Sequence, residues 1–98
     1  MARLKWTDLS IEDMINIGEF ISKDSIKYSV IQIKRLRERA KLLKTPPFLG
    51  RIVSEINDKS ICELILGNYR IIYRIISEDR IDILAVHHSA KLLQIELL

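Results

Sequence analysis

Three glycines, two prolines and one cysteine in 98 residues narrow the chemistry open to this chain. A single cysteine, Cys62, forbids an intrachain disulfide and suits a reducing compartment. Its surroundings in the sequence read as a strand, where it serves as a small buried hydrophobe. One cysteine and two adjacent histidines, His87 and His88, are too few for a zinc site. Neighbouring strand residues also point to opposite faces, so the histidine pair makes a poor metal site. No glycine-rich phosphate loop is present, and no motif speaks for a serine triad. No cofactor and no metal are therefore expected. No apolar run approaches the roughly 18 residues that span a bilayer. The opening MARLKWTDLS lacks the apolar core of a signal peptide. The expectation is a cytoplasmic protein with no membrane partner.

What is present describes one folded unit over residues 1–98. Apolar residues make up 48% of the chain, which excludes disorder and supports a modest core without staples. The net charge of +3 hides an asymmetry. Lys34, Arg35, Arg37, Arg39, Lys41, Lys44 and Arg51 face Glu38 alone in the 34–51 segment, a local +6. The remaining nine basic and twelve acidic residues give −3. Segregated positive charge attracts polyanions or an acidic partner, although part of such a run is ordinary solvated surface.

The strongest pattern is YRIIYRIISEDRIDILAVHHS, Tyr69 to Ser89. β-branched and aromatic residues dominate it, as in two strands joined by a polar turn at Ser77–Arg80. Both faces are apolar, which places the pair inside a sheet with cover on one side at least. Arg70 and Arg74 share a face. Each either snorkels to the sheet edge or pairs with Glu55, Glu63 or Asp82, or else the two line an open concave face with the histidines nearby. A three-residue turn sets Arg70 opposite His88, and a two-residue turn sets it opposite His87.

Upstream, Arg3–Trp6 alternates as a short strand. Ser10 reads as an N-cap, with Leu9 and Met14 as a hydrophobic staple. The helix it opens runs to about Ser22 and carries a stripe of Ile11, Met14, Ile15, Gly18 and Ile21, widened by Ile17 and Phe20. Gly18 costs roughly 1 kcal/mol against alanine, which suggests a close helix contact. Lys23-Asp24-Ser25 reverses the chain. A second helix then runs to about Leu43, with Ser29, Ile33, Leu36, Ala40 and Leu43 facing the core and Ile26 and Val30 extending that stripe. Pro46 and Pro47 end it. Ile52–Ile56 and Ile61–Leu66 follow as strands. The segment from Ala90 to Leu98 is either a short helix or a strand. The expected class is α+β, an antiparallel meander packed against an N-terminal helical hairpin in the order β-α-α-β-β-β.

A family resemblance rests on several of these pieces together. They are Trp6; Asp13-Met14, Ile17 and Phe20-Ile21; Pro47-x-x-Gly50-Arg51 with Glu55; Tyr69-Arg70-Ile71-Ile72-Tyr73-Arg74; and the run from Ile83 to Lys91. The chain resembles the RelE/ParE superfamily of toxins from type II toxin–antitoxin pairs over nearly its whole length. The resemblance implies a neighbouring antitoxin, and either a homodimer or a toxin–antitoxin hetero-oligomer.

It also implies one of two targets. RelE-like members cleave messenger RNA on the ribosome, and there Glu55, Arg70 and His88 match the nuclease site. ParE-like members poison DNA gyrase. Ser89 stands where the nuclease pattern has tyrosine, and Glu63-Leu64 falls where it has arginine. His88-Ser89-Ala90-Lys91 is similar to the ParE-like ending. The expectation is thus a ParE-like gyrase-binding toxin, with the ribosome-dependent nuclease as first alternative and an inactive relative as second. Arg51, Arg74, His87 and Lys91 are the expected target-binding residues. Arg37, Lys41, Leu42, Phe48, Leu49, Leu97 and Leu98 form the expected antitoxin-binding surface, a basic and partly apolar face.

Overall fold

The computed structural model describes residues 1–44 and 50–88. Strand β1 (Arg3–Trp6) leads into helices α1 (Asp8–Ser22) and α2 (Ile26–Lys41), with a 3-10 turn at Leu42–Lys44. Strands β2 (Arg51–Ile52), β3 (Ile61–Leu66), β4 (Tyr69–Ser77) and β5 (Arg80–His88) complete one sheet, ordered β1-β5-β4-β3-β2. β2 to β5 form an antiparallel meander, and β1 joins β5 in parallel. The class is α+β as expected. The meander has four strands after the helices, one more than the anticipated order, and the sheet is mixed.

The helix starts follow local hydrogen bonding. Thr7, not Ser10, caps α1: its hydroxyl accepts the Ser10 N–H at 3.2 Å. It also donates to the Ile83 carbonyl at 2.8 Å, so the cap doubles as a bolt between helix and sheet. Ser10 lies one turn inside, fully buried, donating to the Thr7 carbonyl at 2.8 Å. Ser25 caps α2 by accepting the Tyr28 N–H at 3.0 Å. Gly67, with φ of 57°, takes the first place of the β3–β4 turn, where a two-residue hairpin needs a positive φ.

One sheet face is covered by the helices. Ile71, Tyr73, Ile81 and Ile83 pack there against Leu36, Ala40 and Leu43 of α2 and its 3-10 extension. The other face carries a smaller cluster, in which Ile61, Ile72, Leu84 and Ala85 are covered by Val53 and Ile56. The expected strand over 52–56 is therefore only two residues long. After Ile52 the chain turns over the sheet, and Val53 becomes a fully buried plug. Ser29, Ile33, Leu36, Ala40 and Leu43 face inward as the spacing requires. Ile26 and Val30 do not extend that stripe, being 73% and 65% exposed. Ile11, Ile15 and Phe20 of α1 are exposed as well. The apolar band of the hairpin is thus wider than the sheet can cover.

Candidate functional site

Register decides which polar groups meet. Ser77 pairs with Arg80 across a two-residue turn, and Arg70 pairs with His87. Two irregularities along the ladder, between Ile72 and Tyr73 and between Ile75 and Ser77, offset one another. Near the first of these, the Asp13 carboxylate of α1 accepts the Val86 N–H at 2.9 Å. Arg70, Arg74 and His87 thus lie on the face away from the helices. His88 pairs with Tyr69 on the helix-covered face, its ring edge-on to the tyrosine with centroids 5.1 Å apart. The three residues matched to a nuclease site are therefore split. Glu55 and Arg70 meet, and His88 stands on the other side of the sheet.

Arg70 is held from two directions. Its Nε donates to both Glu63 oxygens at 3.1 Å. Nη1 and Nη2 reach the two Glu55 oxygens at 2.8 and 3.0 Å, and Nη2 also meets Glu63 at 3.0 Å. Such forked pairing matches the planar guanidinium to each carboxylate. The Glu63 side chain is 3% exposed and that of Arg70 14%. Arg51, at the rim, adds a weaker approach to Glu63 at 3.8 Å. The Arg70 hydrogen bonds hold Glu55 at about 2, well below its ordinary 4.5. The same bonds to Glu55 push Arg70 upward. Two cations and two carboxylates thus line a shallow depression of about 450 Å³ whose formal charge is zero.

The depression is braced from beneath. The Tyr73 hydroxyl, in the core, accepts the Gly50 N–H at 3.0 Å. Burial pushes this phenol to about 12. A Cβ on Gly50 would collide with the Glu63 carbonyl and lie 2.6 Å from that hydroxyl. Gly50 thus lets β2 and Arg51 lie flat on β3. Gly50 and Tyr73 both belong to the family pattern, and nothing in their spacing of 23 residues shows that they touch. Asp13 belongs to it likewise, and its bond to Val86 has no short-range signal.

The other expected residues fall elsewhere. Arg74 shares the Arg70 face but sits opposite Asp82 and Ile61, two rows and roughly 13 Å along the strand. Arg37, Lys41 and Leu42 lie exposed on α2 and its extension. Phe48, Leu49, Lys91, Leu97 and Leu98 lie outside the described residues. Among the described residues no group of three or more His, Cys, Asp or Glu could hold a metal. No helix among them is long and apolar enough to cross a membrane.

A helical hairpin laid on a small mixed sheet, with a Tyr-Arg-x-x-Tyr strand at its centre, defines a toxin-like α+β class. The family model of the ParE toxin of the type II toxin–antitoxin system parDE matches residues 4–93, and the chain belongs to that family. It is a type II toxin–antitoxin toxin. A solved chain of the chromosomal ParDE toxin–antitoxin system from P. aeruginosa superposes with a TM-score of 0.74. The match covers 90% of this chain and 96% of that one at 19% identity, a likeness of fold. No curated protein matches the sequence.

Proposed function

We propose that this toxin acts by docking on DNA gyrase and not by cutting RNA. The observation that carries this is the closed ion-pair set around Arg70. Cleaving RNA requires an uncommitted cation at the scissile phosphate and a proton donor for the leaving oxygen. Arg70 already answers two carboxylates, and a phosphate approaching it would meet the exposed Glu55 first, with the charge of buried Glu63 behind. The partly buried guanidinium would have to break several charge-assisted bonds to serve a substrate. His88 lies across the sheet from it. Family membership supports a protein antitoxin as the second partner, and a gyrase target places the toxin in the cytoplasm.

Two assays run side by side test the reading. Purified toxin is mixed with gyrase and relaxed plasmid, and separately with translating ribosomes. The expected result is lost supercoiling or a trapped cleavage complex, with messenger RNA intact. Unchanged supercoiling together with cut messenger RNA would overturn it. Neither effect, with the protein folded, would leave the inactive relative as the answer.

A further inference from the structure

One buried polar side chain stands without a partner. Gln32 of α2 is 7% exposed, between the buried Ser29 and Leu36. Among the described residues it makes no hydrogen bond. No fully enclosed polar side-chain atom among them lacks a partner, so the Gln32 amide must reach water through an opening. That opening is a pocket of about 260 Å³ where α2 meets the β3–β4 turn. Tyr28, Gln32 and Arg35 enter it from one row of α2, at i, i+4 and i+7. Ile21 of α1, Leu66 and Tyr69 face them.

The polar groups of this pocket are all left unanswered. Among the described residues Arg35 makes no ion pair, and the Tyr28 and Tyr69 hydroxyls make no hydrogen bond. The Tyr69 ring is steadied by His88, edge-on to it. Burial, and then the neighbouring Tyr28, push the Tyr69 phenol up, so at neutral pH it is a proton donor. Among the described residues no carboxylate lines the pocket. A guanidinium, two hydroxyls and an amide thus converge with no negative charge between them. This is the reverse of the depression around Arg70, where two carboxylates neutralise two arginines.

We infer that this pocket is a binding site for a carboxylate carried on a short apolar stem. One guanidinium with neutral donors suits a single negative charge, and a phosphate dianion would be left half-answered. The planar guanidinium and amide match a planar carboxylate. Ile21, Leu66 and the tyrosine rings take the stem. The volume admits a group of side-chain size, below the roughly 300–1,000 Å³ of pockets for larger ligands. A free small acid and the glutamate side chain of a peptide share this chemistry. An unpaired buried amide costs stability, and a fold bears such a cost where a ligand needs the group. Arg35 is turned about 200° around α2 from Arg37, which borders the outer groove beside α1. The pocket therefore shares no residue with the surface expected for the antitoxin.

Magnetic-resonance titration of the isotope-labelled full-length chain at fixed ionic strength tests this, independently of any gyrase assay. The probes are sodium propionate, a blocked Ala-Glu-Ala peptide, inorganic phosphate and uncharged propionamide. Propionate should shift the Gln32 side-chain amide and the Tyr28 and Tyr69 ring signals saturably. Propionamide and phosphate should bind about tenfold more weakly. Peptide binding beside propionate identifies a glutamate side chain as the source, and peptide exclusion a free acid. Arg35→Met and Gln32→Leu should each weaken propionate about tenfold, and Lys34→Met should leave it unchanged. Gln32→Leu should hold or raise the urea midpoint, because no bond within the fold is lost. Propionamide binding as well as propionate, phosphate binding more tightly, or binding indifferent to Arg35→Met would overturn the inference. So would an absence of shifts at these signals. A lowered midpoint in Gln32→Leu would overturn it as well, by making the amide a structural group.

Discussion

Arg70 holds two carboxylates at once, Glu55 and Glu63. Removing it while leaving Glu63 buried strands a carboxylate at 3% exposure. Arg70→Met should therefore cost about 3 kcal/mol, the low end for a broken buried pair, because the arginine tip keeps some water contact. Adding Glu63→Gln should return much of that loss by removing the stranded charge. Urea midpoints of the two variants read both effects. Glu55 contributes differently, since its side chain is 42% exposed and water screens its pairing to under about 1 kcal/mol. Its folded value lies near 2 and its ordinary value at 4.5. The sign follows from the lowered value. The contribution is complete above about 4.5 and disappears as pH falls toward 2. The thermal midpoint of wild type should exceed that of Glu55→Gln at neutral pH, and the gap should close across that window. A gap that persisted at pH 2 would show that the glutamate acts through something other than its charge.

At the level of elements, the sequence was most legible where one periodicity served one buried face. The β4–β5 hairpin and the inward row Ser29, Ile33, Leu36, Ala40 and Leu43 are of this kind. It was least legible where a distant partner made the choice. Thr7 and Ser10 are both acceptable caps locally; the Ile83 carbonyl, 76 residues away, recruits the Thr7 hydroxyl. The parallel seat of β1 on β5 has no local signal, because alternation states a face and not a neighbour. In the candidate site, the sequence offers Glu55, Glu63 and Asp82 as partners for Arg70, but turn length alone decides between His87 and His88. Gly18 is a further instance. The helices do approach there, and the Ser29 hydroxyl donates to the Gly18 carbonyl at 2.6 Å. Yet an added Cβ would sit 3.5 Å from Ile33 and 3.6 Å from that hydroxyl, ordinary contact distances. Close approach therefore does not require glycine. Gly18→Ala should stabilise the fold by about 0.5–1 kcal/mol through helix propensity, read as a raised urea midpoint with unchanged slope. A loss of stability would mean that the helix pair cannot accept the methyl group.

Over the whole molecule, charge is divided between the sheet and the hairpin. The depression around Arg70 neutralises itself, whereas α2 presents Lys34, Arg35, Arg37 and Lys41 to solvent. Lys41 meets Glu38 at 3.3 Å, but with both side chains 57% exposed this pair holds little. Exposed charge of one sign acts mainly on the approach of a partner, while buried apolar contact governs how long it stays. A type II toxin must be captured by its antitoxin soon after both are made, so a basic face that speeds encounter is useful. The complement expected for that face is an acidic, amphipathic antitoxin segment that would fold as it docks. Reversing Arg37 and Lys41 to glutamate should then slow association about tenfold at low salt and change dissociation little. Stopped-flow mixing with the cognate antitoxin at two salt concentrations measures both rates. High salt should slow wild type toward the variant, because screening removes the same attraction that the substitutions remove. If association at low salt is unchanged by the reversal, the positive face is solvated surface and the antitoxin approaches from another side.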